Sequence, residues 1–247
     1  MIDFERRVRN VAAAALALVF AVVLLSAAIR LGQAAAPPIS DAMLLLVRGL
    51  HRAAASLEVL AVAWLGWFAW RVRTERPGLA RGVALAVAIT VALSVLGIVA
   101  GRTPPPAAAA ANLVGGLALA AVFAWILGSL RRSDGRAAAY VVGGGMALLA
   151  VQCLLGARLA VFPAAAASPA LPAHAMLGII LACGAAWLAR GIGSVRQRAA
   201  AFALALLVPL AGFTTLHFEH SAAAAFAHAI VAALLIVAAA YTRLRLA

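Results

Sequence analysis

The stretch RGLHRAAASLEVL, residues 48–60, sets Arg48, His51, Arg52 and Glu58 into an otherwise apolar segment. Each ionisable side chain at membrane depth costs about 2.5–3.5 kcal/mol on insertion scales, so a partner or a ligand must offset the sum. Four more histidines, at 174, 217, 220 and 228, fall toward the same side of the apolar runs as His51. Two neutral imidazoles can ligate a heme iron axially, and arginines near the water boundary can bind the propionates. His174 and His228 are the candidate pair, because they enter alternate apolar runs from one side and face each other across a bundle core. Arg158, with Arg52 or Arg102, is the candidate propionate partner. "HFEHS", residues 217–221, is a rival metal site, but two histidines and Glu219 in a short loop support it thinly.

Eight apolar runs must hold these residues. They cover approximately 11–31, 42–70, 81–101, 106–130, 137–162, 170–190, 199–217 and 221–242, and a span needs about 20 residues. With 67% hydrophobic residues in 247, the chain is expected to be an all-α integral membrane protein with eight transmembrane helices. The second run is overlong, so that helix starts in the interface or tilts. No cleavable signal peptide is evident, since the first run is long enough to span. Cys153 and Cys183 each lie inside an apolar run and read as small buried residues.

The net charge of +13 comes from twenty arginines, without lysine, against seven acids. These arginines punctuate apolar runs and do not line a soluble surface, which excludes nucleic acid as a partner. Fifteen of the twenty fall in alternate connections, at 6–9, 71–81, 131–136, 190–198 and 243–245. The exceptions are Arg30, Arg48, Arg52, Arg102 and Arg158. The positive-inside rule then predicts a multi-pass protein with both termini cytoplasmic, and the expected location is a prokaryotic-type inner (cytoplasmic) membrane. Trp67 and Trp70 would sit in the inner aromatic belt, and eight of ten prolines would cap outer helix ends.

The halves look alike. Arg30 and Arg158 close the first and fifth runs, His51 and His174 enter the second and sixth, and Asn112 and His228 occupy the fourth and eighth. Two pseudo-symmetric four-helix bundles, residues 1–132 and 133–247, are the economical reading.

"LHRAAASLEVL", "GIVAGRTPPPAAAAANLVGG", "PAHAMLGIILA" and "AFAHAIVAALLIVAA" appear in this order, and with these pieces the chain resembles the heme A synthase family over nearly its whole length. The resemblance implies oxidation of a heme O methyl group to a formyl for cytochrome oxidase assembly. It also implies a heme b cofactor between His174 and His228, and a substrate heme in the N-terminal half near His51 and Arg52. Three departures stand out: Arg48 replaces the family's glutamate, Asn112 replaces its second N-terminal histidine, and its cysteine pair is missing from residues 32–47. A catalytically altered heme b-binding subunit or electron-transfer module is therefore the alternative expectation. Candidate partners are heme O or another heme as substrate, membrane lipid, and a quinone or other respiratory-chain carrier. An oligomer is left open.

Overall fold

A computed structural model describes residues 2–34, 39–101, 104–130, 150–159, 169–189, 195–217, 224–232 and 234–235, and every regular element among them is an α-helix. Helix α1 spans Ile2–Ala34, α2 Asp41–Arg71, α3 Pro77–Ala100, α4 Pro106–Ser129, α6 Ala170–Ala189 and α7 Val195–His217. Between and after them lie α5, Ala150–Leu159, and α8, residues 224–232. Phe4–Gln33, Asp41–Arg71, Pro77–Ala100 and Pro106–Leu127 are long and apolar enough to cross a bilayer. Among the described residues the protein is therefore all-helical, with the long apolar helices of a membrane-spanning chain.

Helix ends follow local chemistry. The Ser40 hydroxyl accepts a hydrogen bond from the Met43 backbone N–H at 3.3 Å and caps α2. Pro77 opens α3, where a missing N–H costs nothing, and Gly101 closes it at φ 65°. Helix α1 begins well before the apolar run at 11–31, with Arg6, Arg7 and Arg9 inside it. Hydropathy marks the hydrocarbon-facing part of a helix, whereas backbone hydrogen bonding continues past it into the polar zone. The expected runs at 137–162 and 221–242 are described only in part, and the expected boundary at 132/133 lies outside the described residues.

The first four helices pack as a closed cycle of neighbours: α1 on α2, α2 on α3, α3 on α4, and α4 on α1. Each turns a stripe spaced by three or four residues to the inside. On α1 the stripe is Val8, Ala12, Ala15, Val19, Val23 and Ala27; on α2 it is Ala54, Glu58, Val62, Leu65 and Ala69. Small residues dominate because lipid offers apolar contact equal to that of the interior, so close backbone approach supplies the advantage. A Cβ on Gly116 would come within 2.7 Å of Val23, and one on Gly82 within 2.6 Å of Trp125.

One end of this cycle is basic and aromatic. Glu5 pairs with Arg76, joining α1 to the α2–α3 turn. Arg71 lies over Trp67 at 5.1 Å and Arg73 over Trp70 at 4.2 Å, with both tryptophans exposed. That is how an interfacial belt is built. The opposite end carries Pro104, Pro105 and Pro106, the N-termini of α2 and α4, and Arg30, Arg48, His51 and Arg52.

Candidate functional site: two histidines between four helices

Helices α6 and α7 pack against each other, and α5 and α8 join them through the histidines. His174 sits in the first turns of α6. Its ring rests on Gly156 of α5, where an added Cβ would lie 3.0 Å from Cε1. One turn deeper, Gln152 of α5 faces Gly178 and donates from Nε2 to the His174 backbone carbonyl at 3.0 Å. This clamp fixes α6 at the height of the imidazole.

His228 on α8 is held the same way. Its ring rests on Gly212 of α7, where a Cβ would come within 3.3 Å of Cε1. Its Nδ1 lies 3.2 Å from the Val208 carbonyl. A carbonyl can only accept, so Nδ1 carries the proton and donates it, which leaves Nε2 with a free lone pair. Each imidazole thus docks on a glycine of the preceding helix, and the two ring centroids stand 6.1 Å apart at an interplanar angle of 78°. The structure brings His174 and His228 together, although 54 positions separate them in sequence.

Two buried polar atoms here have no hydrogen-bond partner among the described residues: Nδ1 of His174 and Oε1 of Gln152. A buried unsatisfied group costs about 1–3 kcal/mol, so the cluster is poised for a ligand or water that satisfies it. Arg158 lies two residues beyond Gly156 and is exposed. The side chain of His217, at the end of α7, and all of His220 lie outside the described residues, as does Arg102. Cys153 is half-buried, but Cys183 is exposed, on a face of α6 that reads in sequence as core. Among the described residues no three histidine, cysteine, aspartate or glutamate side chains converge on one point as a bare metal ion needs.

The N-terminal cycle holds a different arrangement. His51 is the next inward position after Ala54 on α2, and its Nδ1 is buried without a partner. No hydrogen bond joins it to Asn112 of α4 among the described residues. Glu58, two turns deeper on the same stripe, accepts a hydrogen bond from the Thr90 hydroxyl of α3 at 2.9 Å. Both are buried, at 6% and 4% exposure. Thr90→Val removes the donor and leaves the carboxyl buried. We expect that variant to lose about 1–3 kcal/mol of stability in a detergent unfolding titration, with Thr90→Ser close to wild type. Equal stability of all three proteins would show that the bond contributes nothing.

No protein-family model matches the chain, and no curated protein matches it. Sequence reading picked out the two histidines but missed Gln152, Gly156, Val208 and Gly212. A lone glutamine in an apolar run was the one available signal. Glycines and a backbone carbonyl acquire their roles only through packing.

Proposed function

We propose that the protein is a heme-binding membrane protein, with His174 and His228 as the axial ligands of one heme b. The observation that carries this reading is the spacing of the imidazoles, 6.1 Å between centroids. Histidine nitrogens lie about 2.0–2.1 Å from a bound metal, so two rings sharing one ion stand roughly 6.4 Å apart. The proton on His228 Nδ1 leaves Nε2 free as the ligating atom. Two protein ligands would suffice, because the macrocycle would supply the rest of the iron's coordination, and among the described residues there is no larger ligand cluster. Arg158, exposed near the end of α5, supplies the cation for a propionate. When bound, such a group supplies one-electron redox chemistry tuned by its axial ligands.

The activity that the resemblance to heme A synthases implies is oxidation of heme O at a methyl group, with the N-terminal half, near His51 and Arg52, as the substrate site. A second reading is a heme b electron-transfer module that serves a quinone or another respiratory-chain partner. It is favoured by Arg48 and Asn112 and by Glu58, whose carboxyl is already bonded to Thr90. Either reading places the chain in a prokaryotic-type inner membrane, with eight spans in two halves and cytoplasmic termini. The test is a pyridine hemochrome spectrum of protein purified with and without a heme O source. Heme b in stoichiometric amount supports the cofactor assignment. Heme A in the extract then argues for the enzyme, and unchanged heme O for the module. Protein purified without any heme from heme-replete cells would overturn both.

A further inference from the structure

The inward stripes of α1 and α2 change character at the proline-rich end. After Ala27 the next inward position of α1 is Arg30, and beyond Ala54 the stripe of α2 continues to His51 and Arg48. Arg52 stands beside His51 and is exposed. Three of the five arginines that break the charge asymmetry of the sequence therefore lie at the same end of the helix cycle, on the adjacent helices α1 and α2.

None of Arg30, Arg48 and Arg52 has an ion-pair partner among the described residues. Arg30 is oriented by a hydrogen bond from Nη1 to the Ser26 hydroxyl at 2.8 Å, which leaves its other N–H groups available. Arg30 and Arg52 both lie near enough to His51 to act on it electrostatically, and Arg48 precedes His51 by one turn of α2. Of the nearby acids, Glu58 lies two turns deeper, bonded to Thr90, and Asp41 is exposed in the first turn of α2. Neither neutralises these arginines. The buried Nδ1 of His51 completes the set as an unsatisfied polar atom.

We propose that this end of the helix cycle binds the phosphate of an anionic phospholipid. Arg30, Arg48 and Arg52 supply the counter-charge, and His51 donates one hydrogen bond from Nδ1. Guanidinium forks match phosphate oxygens in geometry and charge. Leu45, Leu46 and Leu50 are exposed within a turn of Arg48 and offer acyl chains a surface beside the headgroup, which a free anion would not use. The proposal does not depend on any role of His174 and His228, and it rests on the second reading above, in which His51 and Arg52 hold no substrate heme.

The full chain, exchanged into phosphatidylcholine nanodiscs with or without phosphatidylglycerol, tests it by native mass spectrometry of retained lipid. Wild type is expected to keep one phosphatidylglycerol in preference to phosphatidylcholine. Losing two surface cations weakens such binding by roughly thirty-fold, so Arg48→Gln/Arg52→Gln should release it. Arg81→Gln removes an exposed charge at the opposite end and should retain it. Arg52→Gln alone, at an exposed position, gives the smaller loss without threatening the fold. Equal retention by wild type and the double variant overturns the proposal, as does an equal loss in Arg81→Gln. Displacement by equimolar inorganic phosphate, or a retained porphyrin in place of lipid, overturns it as well.

Discussion

On the proposed heme b assignment, replacing His174 or His228 with alanine is expected to abolish the low-spin Soret and α-band signature that the assignment requires of the purified protein. A low-spin heme would need a strong-field ligand on each side, so a single remaining imidazole would favour the high-spin state. Changing the hydrogen-bond partner of a metal-bound histidine already costs 10–100-fold in affinity, so losing the ligand itself should lower heme content by at least about tenfold. The two variants differ in what they leave behind. His174→Ala keeps the Gln152 clamp, because that bond ends on the backbone carbonyl, so α6 stays in place and added imidazole should restore the spectrum. His228→Ala also removes the bond to Val208, so rescue there should be weaker. Unchanged spectra in both variants would sink the ligand assignment, and loss without rescue but with intact helicity would shift the ligand elsewhere.

The fold was far more legible in the sequence than the site. Apolar runs of hydrocarbon length must be helical because a lipid-facing backbone has no other way to satisfy its N–H and carbonyl groups. The boundaries of α2, α4, α6 and α7 accordingly fall within a few residues of the runs read from composition. His51 and Glu58, seven residues apart, share one face of α2 by helical periodicity, and Glu58 is bonded to Thr90 of the neighbouring helix. Thr90 itself was not foreseeable, because the pairing depends on how α2 and α3 are offset along their axes. Cys183 shows the opposite limit. In a membrane helix both the lipid face and the packed face are apolar, so hydropathy cannot assign a residue to either.

Gly156→Val and Gly212→Val are expected to expel a ligand almost as effectively as deleting an imidazole. A single Cβ at Gly156 already falls 3.0 Å from His174 Cε1, and one at Gly212 falls 3.3 Å from His228 Cε1. Valine adds two methyl groups beyond that point, and its one favoured helical rotamer leaves little freedom to turn them away. The strain has two outlets: helix separation, or rotation of the imidazole. Ring rotation breaks less at His174, whose Nδ1 holds no partner, whereas at His228 it must also break the bond to Val208. Overpacking of this kind costs about 1–3 kcal/mol, which corresponds to roughly 5- to 150-fold weaker heme retention if the imidazole takes the strain. Gly184→Val is the matched control, because a Cβ there meets nothing within 4 Å. Heme-retention assays should therefore rank wild type and Gly184→Val together, with both pocket variants well below them. Far-ultraviolet circular dichroism should stay constant across the set. Retention equal in all four proteins would mean that the glycines do not seat the imidazoles, and retention lost in Gly184→Val as well would trace the effect to helix propensity.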